Sequence, residues 1–292
     1  MKSIAPMMEQ LQARVEALKQ KKRDRDTTTS STDSSGTKCP TCKGMGYLLD
    51  PDDRWKYLGQ CECSIREQAK QRLHAAMIPD EFKEAWFDQY KVSNGAQKTL
   101  YNASQEYLRD FPKLLQDKNE HRRSIGFIAK FGEQRMKSIK NLSERREKKK
   151  QHNNYGLGKT HLQVAMAKDL IAKGRRVLII SDVLFMDELM QSKMIGDGGV
   201  EMNRILGLVT RVPVLVWDDI GKSNPTESKQ SMYFQIINER YKSKLPIIYS
   251  SNEDSETLEE RIGGGATSRL FGMSHGRIYP VQGPDYRLWG GK

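Results

Sequence analysis

Tyr155-Gly156-Leu157-Gly158-Lys159-Thr160-His161-Leu162 is the stretch on which the reading of this chain turns. Gly158-Lys159-Thr160 has the form of the second half of a phosphate-binding loop that opens a helix. Glycines let the backbone approach the phosphates, and N–H groups at a helix N-terminus point at the anion. In such a loop the lysine, here Lys159, reaches the β/γ-phosphates and the following Thr160 holds Mg²⁺. The complete pattern wants a glycine at position 153, which is Asn153, and the residues before it, Arg145-Arg146-Glu147-Lys148-Lys149-Lys150, are too charged for a buried strand.

One upstream stretch has the character of such a strand: Ser124-Ile125-Gly126-Phe127-Ile128-Ala129-Lys130-Phe131-Gly132. It ends in Gly132, where the strand feeding a phosphate loop should end, so Gly132 is read as the missing first glycine. Between Gly132 and Gly158 lie 25 residues where the motif has four, an excess of 21. Residues 133–155 carry eight Lys/Arg against three Glu, a net charge of +5. The sequence therefore predicts a strand at 125–131 and a basic insertion inside the loop.

Downstream, strand and helix alternate, the mark of a parallel sheet. Strands are expected at 176–181, 212–219, 246–252 and 277–281, and helices at 184–193, 200–208 and 227–243. Gly263-Gly264-Gly265 reads as a hinge or turn. Asp218-Asp219 closes the apolar run Val212-Pro213-Val214-Leu215-Val216-Trp217. Two carboxylates there suit Asp218 for the Mg²⁺ shell and Asp219 for activating a water. Asn252, at the tip of another strand, suits a sensor that positions that water. Arg269 suits an arginine finger offered to a neighbouring subunit, and Arg287 a second sensor within its own subunit. Either arginine could equally serve a surface ion pair. His161 sits with Gly156, Gly158, Lys159 and Thr160 among the candidate nucleotide-loop residues. It and Trp217 are expected to pack or cap rather than catalyse.

The length of 292 residues allows about two domains. Residues 7–24 read as a narrow amphipathic helix, and the Thr/Ser tract at 27–37 as a flexible linker. The expected layout is residues 1–37 as helix and linker, 38–93 as a cysteine module, and 94–292 as the nucleotide-binding domain. The four cysteines, Cys39, Cys42, Cys61 and Cys63, all lie within that module, as Cys-x-x-Cys and Cys-x-Cys pairs with eighteen residues between. Four thiolates in two close pairs suit a structural tetrahedral Zn²⁺, and two short strands, Tyr47-Leu48-Leu49 and Tyr57-Leu58, are expected between them. A redox dithiol or unligated thiols are the alternatives. The net charge of +12 favours a polyanionic partner, most simply nucleic acid. No apolar run approaches the roughly 20 residues of a membrane span, and the first residues lack a secretory apolar core, so a cytoplasmic place and no membrane partner are expected.

With these motifs the chain resembles the DnaC/DnaI-type helicase loaders and the related IstB-type transposition ATPases. The resemblance runs from Cys39 to Arg287. It is carried by Cys39-Pro-Thr-Cys42, Cys61-Glu-Cys63, Ile78-Pro-Asp-Glu-Phe82, Gly158-Lys-Thr-His-Leu162, Trp217-Asp-Asp-Ile-Gly-Lys222, Ile237-Asn-Glu-Arg-Tyr241, Pro246-Ile-Ile-Tyr-Ser-Ser-Asn252 and Ser268-Arg-Leu270. The cysteine module looks more like that of a loader, and phage and prophage versions share this layout. The resemblance implies an α/β fold, an AAA+ αβα parallel-sheet core of the P-loop class behind a small zinc-binding domain. It implies ATP and Mg²⁺ held between protomers, so a homo-oligomer on helicase or DNA. It also implies single-stranded DNA bound by the core and a DnaB-type replicative helicase gripped by the N-terminal module. The insertion departs from the family pattern and leaves open an adaptor without ATPase activity. Asp219 stands where other AAA+ proteins often carry glutamate, one methylene longer, which points to weaker water activation.

Overall fold

The computed structural model describes residues 39–51, 53, 55–117, 120–194 and 198–285. The expected helix at 7–24, the linker after it and Arg287 lie outside the described residues. The chain divides into two compact units between Ser64 and Ile65. The boundary expected near Ser93 falls inside the second unit.

In the first unit, β1 (Tyr47–Leu49) and β2 (Tyr57–Gln60) form an antiparallel hairpin. Its base closes on the cysteines, with the Cys61 N–H donating to the Gly46 carbonyl at 3.0 Å. Helix α1 (Glu62–Ala75) begins here and continues into the second unit.

The second unit is built on α2 (Gly95–Gln116), β3 (Ile125–Ala129), α3 (Glu133–Ser138), α4 (Leu142–Gln151), α5 (Lys159–Ala172), β4 (Val177–Ser181), α6 (Asp182–Ser192), α7 (Val200–Arg211), β5 (Val214–Asp218), α8 (Glu227–Lys242), β6 (Ile247–Ser250), α9 (Ser255–Ile262), α10 (Gly264–Met273) and β7 (Ile278–Val281). The five strands β3 to β7 pair in the order β4-β5-β6-β3-β7, and every pairing is parallel. Parallel strands are covered on both faces, which is why their sequences are continuous apolar runs rather than alternating ones. One face packs Leu100, Tyr107 and Phe111 of α2 with Leu162, Met166 and Leu170 of α5. The other packs Phe185, Leu189, Ile205, Tyr233, Ile236, Leu258 and Leu270 from α6 to α10. This is the αβα parallel-sheet core of the AAA+ kind that the resemblance implied.

The strand expected at 125–131 is β3, buried along its whole length near the middle of the sheet. Gly126 is required there, because a methyl group on it would come within 2.2 Å of the Tyr249 ring. The expected insertion leaves this strand and contains two helices of its own, α3 and α4. The segment Ile65–Ser93 packs on the body: Ala76, Ala85 and Tyr90 join the core of the α2/α5 face, and the Ile179 N–H donates to the Ala76 carbonyl at 2.9 Å. Among the described residues, no helix is long and apolar enough to cross a membrane.

Candidate functional site: a cleft at the carboxyl ends of the strands

In an open parallel sheet, ligands settle outside the carboxyl ends of the strands. The helix that answers to that position is α5. It starts at Lys159 directly after Gly158, whose φ of +78° favours glycine, and no side chain caps it. Its first-turn N–H groups are thus left for another acceptor, the usual basis of anion binding at a helix N-terminus. Tyr90 presses against the same glycine and donates its hydroxyl to the Leu157 carbonyl at 2.7 Å, fixing the loop from the other side.

Lys159 is buried, with oxygens facing its ammonium. Its Nζ donates to Asn252 Oδ1 at 2.7 Å, to the Ser251 carbonyl at 3.2 Å and to the Asn154 carbonyl at 3.3 Å. Thr160 donates its hydroxyl to the Asp218 carboxylate at 3.0 Å. Asp219 follows in the left-handed region at φ +53°, a conformation aspartate tolerates better than most residues, and its Oδ1 accepts from Asn252 Nδ2 at 3.0 Å. Lys159, Thr160, Asp218, Asp219 and Asn252, expected to act together, thus converge. Lys159, Thr160, Asp219 and Asn252 border a cleft of about 680 Å³ also lined by Asn154, Tyr155, Gly156, Gly158, His161, Lys222, Glu81 and Phe82, and Asp218 lies behind Thr160 at its edge. A volume of that order suits a drug-sized ligand.

The electrostatics fit a cation there. Burial, with Asp219 alongside, pushes the Asp218 carboxyl up to about 6 despite the hydroxyls of Ser250 and Thr160. A buried carboxylate of raised pKa gains from a nearby cation, and Thr160 with Asp218 is the donor set that would hold Mg²⁺. The polyphosphate fit rests on Lys159 and the uncapped N-terminus of α5.

Gly132 closes the other end of the interrupted loop, and its backbone is already engaged. Its N–H donates to Asp254 Oδ2 at 2.8 Å, and the next two N–H groups donate to the Asn252 carbonyl at 3.0 Å and Glu253 Oε2 at 3.0 Å. A methyl group on Gly132 would come within 2.1 Å of Thr257 Oγ1. The glycine therefore serves a close approach to the N-terminus of α9, and it is not among the residues lining the cleft. His161 Nε2 donates to the Trp86 carbonyl, 2.8 Å away, and Trp217 is fully buried on β5 with its indole N–H on Asp182. Arg269 lies on α10, where Nε donates to Asn238 Oδ1 at 2.9 Å and the guanidinium stacks over Phe234 at 4.7 Å. It lines no part of its own chain's cleft.

Three contributors were not singled out from sequence. Ser250 donates to Asp218 at 2.7 Å and accepts from the Asp219 N–H at 2.9 Å, tying the two acids to β6. Gln163, buried in the first turns of α5, donates to Asp218 at 2.7 Å when its amide nitrogen faces that carboxylate. Asn154, from the insertion's last turn, donates to the Asn252 carbonyl at 3.1 Å. The available signal was a strand tip, Ser250-Ser251-Asn252, with three polar residues where one sensor was sought.

In the hairpin unit, the four cysteine sulfurs all lie within 4.8 Å of one another, with Cys42 and Cys63 at 3.3 Å and Cys39 and Cys61 at 3.8 Å. Tetrahedral zinc with bonds of about 2.3 Å sets its sulfurs about 3.8 Å apart, so the set fits. The Gly46 N–H donates to Cys42 Sγ at 3.3 Å, as a thiolate ligand requires. The N–H of Cys42 draws Cys39 down to about 6, while the neighbouring thiols, Cys42 first, push Cys63 up to about 12. Four sulfurs this close cannot all ionise without a shared cation.

The family profile described as IstB-like ATP binding protein matches residues 137–288. The Phage-like element PBSX protein XkdC of Bacillus subtilis (strain 168) is 22% identical over 266 residues, covering 89% of this chain and 88% of that one. The Replicative helicase loader DnaC of Escherichia coli (strain K12) is 27% identical over 115 residues, 39% of this chain and 46% of that protein. A crystal structure of the DnaC helicase loader aligns with a TM-score of 0.52 at 21% identity, over 70% of this chain and 100% of that one, which speaks for a shared fold.

Proposed function

The chain belongs to the family of IstB-like ATP binding proteins, and from that premise we propose that it is an ATPase that loads a DnaB-type replicative helicase onto single-stranded DNA. Its relatives support an AAA+ ATPase of the loader or helper kind. The observation that carries the ATPase reading is the convergence of Lys159, Thr160, Asp219 and Asn252 on one cleft, with Asp218 bonded to Thr160.

In this reading Lys159 and the N-terminus of α5 bind the β- and γ-phosphates. Thr160 and Asp218 hold Mg²⁺, which supplies positive charge against the phosphate oxygens. Asp219 accepts the proton of the attacking water, and Asn252, bonded to Asp219, orients that water. Arg269 answers to a neighbouring subunit's nucleotide and Arg287 to its own, which makes the active form a homo-oligomer. Residues 38–93 grip the helicase, with one Zn²⁺ on Cys39, Cys42, Cys61 and Cys63, and residues 94–292 hold nucleotide and DNA.

A second reading, which membership of the IstB-like ATP binding family also supports, is a helper ATPase of the transposition kind that works on duplex DNA. The two separate in a loading assay. The full chain with ATP should leave the host's replicative helicase on circular single-stranded DNA, and Asp219→Asn should block its subsequent release. A helicase neither captured nor loaded, with ATPase activity stimulated by duplex DNA instead, overturns the loader in favour of the helper.

A further inference from the structure

We propose that α4, the basic helix inside the interrupted phosphate loop, is a contact element for the sugar-phosphate backbone of nucleic acid. The proposal deepens the DNA part of the reading above and is independent of its helicase part.

Helix α4 has no buried residue. Ten residues without an apolar stripe do not hold a helix in water by themselves. Its order comes from its two ends. At the start, Asn141 Oδ1 accepts from the N–H groups of Ser143 at 2.9 Å and Glu144 at 3.3 Å. Arg145 turns back and donates to the carbonyls of Ile139, at 2.6 Å and 2.9 Å, and of Lys137, at 3.0 Å. Beyond the last turn, His152 stacks on Phe131 at 5.1 Å and pairs with Gln282 at 3.0 Å. Asn153 then exchanges two hydrogen bonds with the backbone of Gly283. A segment with nothing to bury is nevertheless held in place.

What it presents is charge. Arg135 and Lys137, at the start of the insertion, are neutralised by Asp254, Glu256 and Glu133. Among the described residues, Lys140, Arg146, Lys148, Lys149 and Lys150 form no ion pair. Arg146, Lys149 and Lys150 stand at i, i+3 and i+4, so they share one face, and all three are exposed. Like charges at that spacing destabilise a helix, a cost that a polyanion removes. A solvated face of mixed sign would not incur it.

An acidic protein would also satisfy the charge, but protein interfaces centre on aromatic or aliphatic anchors. The only large apolar side chain on α4 is Leu142, next to its N-cap. A row of cations without an anchor matches a phosphate backbone, which is bound through charge and counterion release.

The test is a salt titration of oligonucleotide binding by the full chain, with a labelled single strand and a duplex of equal length. Arg146→Gln/Lys149→Gln/Lys150→Gln removes the charge while keeping helix propensity nearly constant. The slope of log affinity against log salt should fall by about 2 for the single strand or about 3 for the duplex, with affinity lower by at least about tenfold near 0.1 M salt. Lys149→Arg/Lys150→Arg should bind as the wild type does. In the wild-type chain, bound oligonucleotide should shield Lys149 and Lys150 from acetylation, a readout that needs no variant to fold. Unchanged slope and affinity in the triple variant overturn the proposal, as do lysines that stay reactive under saturating oligonucleotide. Loss of helicase binding with intact nucleic-acid binding overturns it in favour of an acidic protein partner. A failed loading assay with the expected salt response would remove the loader and leave this contact standing.

Discussion

Asp182 shows how much of the site's rigidity comes from residues that never face the cleft. It opens α6 beneath β5 and accepts from Trp217 Nε1 at 2.9 Å, the Ser223 N–H at 2.8 Å and the Tyr233 hydroxyl at 2.7 Å. Burial outweighs those three donors and pushes its carboxyl up to about 6. In the unfolded chain the group titrates near about 3.9, so between those values the native state holds the extra proton. Its contribution to stability is complete below about pH 4 and is lost as pH rises through about 6, on the order of 3 kcal/mol. Asp182→Asn removes the titration. Urea unfolding across about pH 4 to 7 should show the wild type gaining on the variant by roughly that amount toward the acid end. A constant difference over the window would contradict the account. The same scale explains what the sequence withheld. Asp218, Asp219 and Asn252 announce themselves at strand ends after apolar runs, whereas Ser250 and Gln163 are ordinary residues whose importance is a matter of which atom they face.

Elements with a continuous apolar run were legible: β3 (Ile125–Ala129), β5 (Val214–Asp218) and β6 (Ile247–Ser250) lie within the strands expected at 125–131, 212–219 and 246–252. The short helices were not. Helix α9 rests on a capping box in which Asp254 and Thr257 satisfy each other's N–H groups, and Gly263 at φ +90° alone turns it into α10; Gly264 and Gly265, expected in the turn, open that helix instead. Helices α3 and α4 carry no apolar period to read, because they bury nothing. The cysteine hairpin was legible from ligand spacing alone, and it makes the strongest prediction at this scale. With only two short strands, it cannot fold on apolar burial, so chelation or Cys42→Ser should abolish slow amide exchange in Tyr47–Leu49 and Tyr57–Gln60. The purified chain should carry about one zinc per molecule by elemental analysis, given one set of four cysteines. Because the hairpin and the sheet body are separate compact units, the thermal transition of the body should stay where it was. Exchange protection that survives chelation would contradict the zinc assignment.

For the whole molecule, the central claim is that a phosphate loop split by an insertion still builds a nucleotide site. The sheet order makes this physically reasonable. Strand β3 lies beside β6 and next but one to β5, so α5, Asp218-Asp219 and Asn252 meet at the strand ends whatever path the chain takes between Gly132 and Gly158. The insertion changes the connection and leaves the meeting point intact. What a ligand must displace is local: three oxygens on the Lys159 ammonium and the Thr160 hydroxyl on Asp218. Charged phosphate oxygens are stronger acceptors than the carbonyl and amide oxygens they replace. The direct test is ATP binding and turnover by the full chain, wild type against Lys159→Ala, with Mg²⁺ present. Loss of one charge-assisted hydrogen bond of about 2–3 kcal/mol should weaken ATP binding about 30- to 150-fold and abolish measurable hydrolysis. Equal affinity and equally slow turnover in the two proteins would contradict the claim and leave the fold as an adaptor.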